Sequence, residues 1–375
     1  MKKTYEKPKL IALPLSGNNM LCNTCAIDII GDNADPEVTK RLKELGLDIG
    51  QLFAANENCA IKNKNPMFDS YCKFTGADYG RQDGRRRFLR KRTMREYTFQ
   101  ICGVQMAVAS ALPLVTDAVM EQYFGGDGRH LLVEGRAVPE LAEVKGTLLR
   151  REPERLVFRE NTAVTRCRMA SAGAVPYARL DYDLRWPSAA AMTVRKTDWR
   201  WATDYLRLWS LIGLPQLLLP FRTLIFHASY IGWQGEGLLF TAPSGVGKST
   251  QAELWRRYRR AEVLNGDKAG VRLEGRPMAY GVPFSGTSGI CRNVSLPLRG
   301  IVVLSQAAEN TIRRLLPSEA VAALCQNVFV DSAVQEEWQM AVQLLLDLVS
   351  AVPVYALACT PDESAVETLE AALSR

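Results

Sequence analysis

The residues best suited to chemistry lie in "FTAPSGVGKST", residues 240–250. Glycine at the two central positions permits backbone angles that turn successive N–H groups towards a phosphate. Lys248 could reach the terminal phosphates of a nucleotide, and the Ser249 hydroxyl could bind Mg²⁺. Ala242 replaces the first glycine of the usual G-x-x-x-x-G-K-[ST] pattern. The second glycine, the lysine and the serine of the pattern are present as Gly247, Lys248 and Ser249. The predicted nucleotide-binding residues are Ser244, Gly245, Val246, Gly247, Lys248, Ser249 and Thr250.

The elements around this loop are those that a phosphate-binding loop requires. "GLLFT" (237–241) is typical of a strand, and "KSTQAELWRRYRR" (248–260) of a helix. The positive end of that helix would favour a bound anion. "TLIFHASYIGW" (223–233) is a second predicted strand, joined to the first by a tight turn at "QGEG".

The stretch "HASYIGWQGEGLLFTAPSGVGKST", with "VLNGDKAGVRL" and "GVPFSGTSG" after it, resembles the HPr kinase-like family of bacterial serine kinases. The fold of that family is akin to phosphoenolpyruvate carboxykinase. The resemblance covers about residues 96–375 and is strongest over 223–305. It implies an α/β protein with a mixed-sheet P-loop domain that uses ATP and Mg²⁺ and phosphorylates a serine or threonine hydroxyl of a protein or peptide.

The resemblance also implies roles for His227 and Asp267, which match a histidine on the strand before the loop and an aspartate after the loop helix. Phosphoryl transfer needs charge neutralisation, here by Lys248 and Mg²⁺, and a base at the acceptor hydroxyl. Asp267 is the candidate base or, alternatively, a Mg²⁺ ligand beside Ser249. His227 could orient Asp267, contact a phosphate, or serve only as a hydrogen-bonded structural residue.

One position departs from the family pattern. The family has two adjacent aspartates after the loop, whereas this chain has Asp267 followed by Lys268. Two functions therefore stay open. The first is an ATP-dependent serine kinase acting on a protein or peptide, and the alternative is a non-catalytic module that senses ATP and signals to a partner. "GVPFSGTSGICR" is a second glycine-rich loop, which is either a wall of the site, with Ser285, Gly286 and Arg292, or a plain connection.

The rest of the chain suggests four regions: a Cys-bearing segment (1–78), a basic linker (79–95), a sheet-rich half (96–222) and the P-loop domain (223–375). The expected helices and strands follow from periodicity and turn signals. Strands are expected at 97–109, 155–161, 178–186, 300–306, 310–316 and 353–359, and helices at 35–46, 197–213, 318–329, 332–349 and 360–375.

The net charge of +7 comes from one short stretch. Residues 1–78 carry ten basic and ten acidic side chains, residues 96–375 carry 29 of each, and residues 79–95 carry eight basic side chains against one acid. A basic run can bind nucleic acid or anionic lipid, but no aromatic platform or nucleic-acid motif accompanies it. We interpret it as a solvated linker and expect no nucleic-acid partner.

The amino-terminal segment holds Cys22, Cys25, Cys59 and Cys72, which could supply zinc ligands. The last two are too far apart for the paired couples of a zinc site, so we expect no stoichiometric zinc. The opening "MKKTYEKPKL" and Cys-bearing tail resemble precursors of ribosomally made, modified peptides. A partner-docking or regulatory module is the alternative for this segment.

The remaining expectations concern location and assembly. The apolar stretch at 205–226 is interrupted by arginines and prolines, so we interpret it as buried core, with no membrane partner. No signal peptide is recognised at the start of the chain, and the five other cysteines are expected to be buried thiols. We therefore expect a cytoplasmic protein, for which a homo-oligomer is compatible with the sequence.

Overall fold

A computed structural model of the chain describes residues 94–374, except 127 and 172, and the two isolated positions 40 and 44. The cysteine-bearing segment 1–78 and nearly all of the basic linker therefore lie outside the described residues. So does the helix expected at 35–46, apart from Lys40 and Glu44, which are both helical.

The first half of the described chain forms an eight-stranded mixed sheet, here called sheet A. Its spatial order is β1-β2-β3-β8-β7-β6-β5-β4, with parallel pairing of β2 with β3 and of β3 with β8. The strands are β1 (Arg95–Ile101), β2 (Val104–Ser110), β3 (Leu131–Val138), β4 (Thr147–Glu152), β5 (Arg155–Glu160), β6 (Ala163–Arg168), β7 (Ala178–Asp183) and β8 (Ala189–Arg195).

The expected strand at 97–109 is wrong as a single element, because it forms the hairpin of β1 and β2. Cys102 and Gly103 both have positive φ, at 53° and 71°, which turns the chain within two residues. The expected strands at 155–161 and 178–186 correspond to β5 and β7, and both are confirmed.

Four short helices accompany sheet A among the described residues: α1 (Ala118–Glu121), α2 (Trp199–Ala202), α3 (Tyr205–Leu211) and α4 (Leu214–Leu218). The helix expected at 197–213 is thus broken in two. Asp204 causes the break, since its carboxylate accepts a hydrogen bond from the Arg207 N–H at 2.9 Å and starts a new helix. The apolar stretch after it is buried core, as the sequence predicts, with Leu208, Trp209 and Leu214 at 0% exposure.

The second half forms another mixed sheet, sheet B, in the order β10-β9-β12-β13-β14-β16-β15. β11 pairs with β9 outside this order. β10 also pairs with β14, so the five strands from β10 to β14 in this order form a closed ring. The strands are β9 (Thr223–Trp233), β10 (Glu236–Thr241), β11 (Glu262–Asn265), β12 (Lys268–Arg272), β13 (Met278–Gly281), β14 (Ser295–Gln306), β15 (Thr311–Arg314) and β16 (Val354–Cys359).

Helices cover both faces of the parallel part of sheet B, where β14 lies between β10 and β16. The helices are α5 (Lys248–Arg259), α6 (Pro317–Cys325), α7 (Gln335–Ala351) and α8 (Glu363–Leu373). Successive residues of a strand point to opposite faces. Accordingly, Leu239 packs in the cluster that contains residues of α6 and α7, while Leu238 and Phe240 pack in the cluster that contains residues of α5 and α8.

The two sheets share a hydrophobic core. Ile225, Val282 and Phe284 of the second half belong to the same buried cluster as the inner side chains of sheet A. We therefore describe the molecule as an α/β protein with two mixed sheets, and the boundaries at residues 96 and 223 remain predictions.

A buried ion network also joins the two halves. Arg166 on β6 contacts Asp331 and donates a hydrogen bond to Glu337 at 2.5 Å, and all three side chains are at most 6% exposed. Burial raises the pKa of Glu337 to about 7, although Arg166 and a hydrogen bond from Tyr182 act in the opposite direction. Sheet A therefore holds the amino-terminal end of α7 through charges that water does not reach.

The cysteines of the described chain agree only in part with the expectation that all five are buried thiols. Cys102, Cys167, Cys291 and Cys325 are buried thiols, while Cys359 is half-buried. No helix in the described part of the chain combines the length and apolar character that crossing a membrane requires.

Candidate functional site

The loop between β10 and α5 has the conformation that the glycines predict. Gly245 and Gly247 have φ values of 82° and 122°, which L side chains rarely adopt. A Cβ built on Gly245 would meet no atom within 4 Å, and one on Gly247 would only touch Thr250 at 4.0 Å. The space next to both glycines is therefore open, and Ser244, Ser249 and Thr250 are exposed.

Lys248 begins α5 and is only 7% exposed. Its ammonium group donates hydrogen bonds to the carbonyl oxygens of Ala242 at 3.0 Å and Pro243 at 3.2 Å. The lysine is thus folded back over the loop that carries it. A phosphate in the loop would meet an ammonium group already held in place, which reduces the entropy lost on binding.

The sheet brings the other predicted residues to the same place. In the register of β9 and β12, His227 is opposite Lys268, and in that of β9 and β10, Ala228 is opposite Thr241. The Oδ1 atom of Asp267 lies 3.7 Å from Nε2 of His227. Since neighbouring strands are about 5 Å apart, Asp267 lies roughly two strand spacings from the start of the phosphate loop.

Asn265 fixes the turn that presents Asp267. It is 0% exposed, and its side-chain oxygen accepts hydrogen bonds from the backbone N–H of Asp267 at 2.9 Å and of Lys268 at 3.0 Å. Its amide nitrogen donates to the Val282 carbonyl at 2.9 Å. Asn265 is a positioning residue that was not predicted, although asparagine before glycine is a recognised signal for such a turn.

Lys268 binds the carboxylate that the sequence analysis assigned to catalysis or metal binding. Its ammonium group contacts Oδ2 of Asp267. The same ammonium lies 5.2 Å from the ring centre of Phe329 and 5.4 Å from that of Phe284, within the range of cation–π attraction. Lys268 is 4% exposed. Phe284 belongs to the second glycine-rich loop, which the sequence offers as a possible wall of the site. Phe329 comes from a distant segment and could not be assigned to the site from the sequence.

His227 is a neutral imidazole in this environment. Burial, and then the positive charge of Lys248, lower the pKa of His227 to about 3, while Asp267 acts in the opposite direction. Its backbone is held by hydrogen bonds to Asn327 and from Thr241. A neutral ring beside Asp267 could donate or accept one hydrogen bond, and it adds no charge to the site.

The second glycine-rich loop packs directly on Asp267. A Cβ built on Gly286 would lie 2.4 Å from Cβ of Asp267, closer than two carbon atoms can approach. Ser285 is 6% exposed. Arg292 pairs with Glu262, and both side chains are more than half exposed. The loop thus forms a wall next to Asp267 at Gly286, while Arg292 is engaged elsewhere.

The site offers few ligands for Mg²⁺. Within the described residues, no three His, Cys, Asp or Glu side chains are grouped so that they could hold a metal ion. Mg²⁺ prefers oxygen ligands and is usually bound by one or two carboxylates together with phosphates. Ser249 supplies a hydroxyl, but one oxygen of the Asp267 carboxylate is already engaged by Lys268. The donors therefore fit a fully protein-bound Mg²⁺ poorly.

Comparisons with known proteins add one family match over the carboxy-terminal region. Residues 206–374 match a family described as "SynChlorMet cassette protein ScmC". No curated protein matches the chain. Among solved structures, the Hpr(Ser) kinase/phosphatase from Coxiella burnetii is similar at 12% identity and a TM-score of 0.23, over 40% of this chain and 94% of that one.

Proposed function

We propose that this protein is an ATP-dependent phosphotransferase that phosphorylates a serine hydroxyl of a protein or peptide. The observation that carries the proposal is the combination of the open phosphate loop with Lys248 folded over it and Asp267 across the sheet. The resemblance to HPr kinase-like proteins over about residues 96–375 supports the same chemistry.

The proposed reaction assigns one task to each side chain. The acceptor oxygen attacks the γ-phosphorus, so that a new O–P bond forms and the bond to the bridging oxygen breaks, releasing ADP. Asp267 takes the hydroxyl proton through Oδ1, the oxygen on the side of His227. Lys248 and the backbone N–H groups stabilise the charge on the phosphate. Mg²⁺ bound with the nucleotide would find its hydroxyl ligand in Ser249.

Two features of the chain bear on the acceptor. Residues 1–78 resemble a modified-peptide precursor, and an acceptor joined covalently to the site would be present at a high effective concentration. The family matched at residues 206–374 is described as a cassette protein. We therefore propose a peptide acceptor, with modification of a peptide natural product as the context.

A specific observation favours the second candidate, a non-catalytic ATP sensor. The ion pair between Lys268 and Asp267 occupies one oxygen of the carboxylate that the proposed reaction uses as its base. A carboxylate held in this way is a less available base and metal ligand. Nucleotide binding without transfer would then signal to a partner.

A transfer assay separates the two functions. The full chain is incubated with γ-labelled ATP or GTP, Mg²⁺, and a peptide of residues 1–78 or other hydroxyl acceptors. We expect label on a serine of an acceptor and none with Lys248→Ala. If bound nucleotide is detected while no label reaches any hydroxyl or water, the protein is a sensor rather than a kinase.

A further inference from the structure

The position of Lys268 is not explained by the proposed reaction. A lysine rarely becomes fully buried unless it is paired, and this one is 4% exposed. Its ammonium group is held by the Asp267 carboxylate on one side and by the rings of Phe284 and Phe329 on the other. Such a built environment fixes a positive charge at one point of the site.

This charge lies about two strand spacings from the start of the phosphate loop. Lys268 is opposite His227 on β9, whose next residue is opposite Thr241, the last residue before the loop. Lys248 and Lys268 both act electrostatically on the ring of His227 from the two sides of this strand. The side chains around His227 thus carry two positive charges and one negative charge, and the helix end adds a partial positive charge.

The ligands available for Mg²⁺ also suggest that a protein cation occupies the site. A nucleotide site that relies on Mg²⁺ places carboxylates where the metal binds. Here Lys268 contacts the one carboxylate, Asp267, and so a cation is already present where the metal would bind that oxygen. The charge that neutralises the phosphates can come from the protein itself.

We infer that Lys268 is a phosphate-contacting residue that takes the role of the metal ion next to Asp267, so that the site binds nucleoside triphosphate with little dependence on Mg²⁺. This rests on the proposed nucleotide binding. The ammonium group reaches the phosphates while Asp267 and the two phenylalanine rings keep it in position. The net positive charge of the site is then complementary to free nucleoside triphosphate rather than to its Mg²⁺ complex.

Calorimetric titration of the full chain with ATP, in Mg²⁺ and in EDTA, tests the inference. We expect the wild-type affinities in the two conditions to agree within about threefold. Lys268→Met keeps the apolar stem but removes a charged contact, so affinity in EDTA should fall about tenfold to a hundredfold. Lys268→Arg should retain the metal-insensitive binding, because it keeps a positive charge and several N–H donors.

Lys196→Met is the matched control, since Lys196 is exposed in a turn after β8 and should leave both affinities unchanged. Thermal melting verifies that each variant is folded, and the wild-type comparison between Mg²⁺ and EDTA tests the inference even if Lys268→Met does not fold. Wild-type binding that appears only with Mg²⁺ would overturn this inference and leave the proposed function intact. Absence of ATP binding in both conditions would overturn both.

Discussion

The two carboxylate oxygens of Asp267 have different neighbours, Lys268 and His227. Lys268 engages Oδ2 of Asp267, while Oδ1 is on the side of His227. The two oxygens can therefore serve different purposes, one structural and one chemical. The histidine remains uncharged because burial opposes its protonation.

Lys248 provides the first prediction at the scale of single residues. Replacing it with alanine removes a charged contact to phosphate worth about 1.5–3 kcal/mol. We expect ATP affinity, measured by calorimetry, to fall about tenfold to a hundredfold. Arg257→Ala removes a charge from the exposed face of the same helix and is the control. Equal ATP affinity in Lys248→Ala and the wild type would mean that the loop does not hold the phosphates.

The sequence indicates the loop residues because their spacing is local. The partners of Lys268 could not be predicted, since Phe284 and Phe329 reach it only through the tertiary fold. Asn265 lies between these cases: the turn it forms is visible in the sequence, but its bond to the Val282 carbonyl is not.

At the scale of elements, the second glycine-rich loop determines how much space surrounds Asp267. Gly286 has a φ of 57° and approaches the Asp267 side chain at a distance that excludes a Cβ. Gly289 has a similar φ of 67°, but a Cβ there would meet no atom within 4 Å. The two glycines have similar backbone conformations, but only Gly286 lies against another side chain.

This pair gives a matched test of the loop. Gly289→Ala should cost only the strain of a left-handed residue, about 1–2 kcal/mol. Gly286→Ala adds a clash with Asp267, so we expect a larger loss of stability in urea unfolding and a greater loss of phosphoryl transfer. Identical effects of the two substitutions would show that the loop moves away from Asp267 without cost.

The ion network between β6 and α7 leads to a prediction about the packing of elements. Arg166→Met leaves Glu337 buried without its arginine partner, while Asp331 keeps its ion pairs with Arg150 and Arg155. The cost should therefore be about 3 kcal/mol, at the low end of the range for breaking a buried ion pair. Arg185→Met is the control, because Arg185 is an exposed partner of Asp183, and we expect it to leave the unfolding midpoint unchanged. A wild-type midpoint for Arg166→Met in urea unfolding would show that the network contributes nothing.

Local signals explain which elements the sequence identifies. β9, β10 and α5 are predicted within about two residues, because strand alternation, a two-residue turn and a helix start are local. The hairpin at Cys102 and the helix break at Asp204 are missed. At both positions a short-range interaction divides an otherwise continuous apolar pattern.

At the scale of the whole molecule, the two sheets depend on each other. Ile225, Val282 and Phe284 complete the core of sheet A. The carboxylates before and within α7 pair with the buried Arg166 of that sheet. The sequence predicts sheet-rich and alternating regions. It does not predict that they share a core, because the contacts join residues far apart in the chain.

A fragment of residues 94–375 tests this organisation. Because one core and one ion network connect the two sheets, we expect the fragment to unfold in a single cooperative transition. Circular dichroism during heating measures this. An insoluble fragment, or one without a cooperative transition while the full chain has one, would show that residues before 94 belong to the folded unit.

The most direct test of the proposed chemistry is a comparison of ATP binding and phosphoryl transfer in Asp267→Asn. The substitution keeps the shape of the side chain and removes the proton acceptor, so transfer should fall by about 10² or more. ATP affinity, measured by calorimetry on the same preparation, should be retained, because Asp267 meets the acceptor hydroxyl and not the nucleotide, and the asparagine side-chain oxygen can still accept a hydrogen bond from Lys268. Undiminished transfer by Asp267→Asn, or loss of its ATP binding, would contradict the assignment of Asp267 as the base.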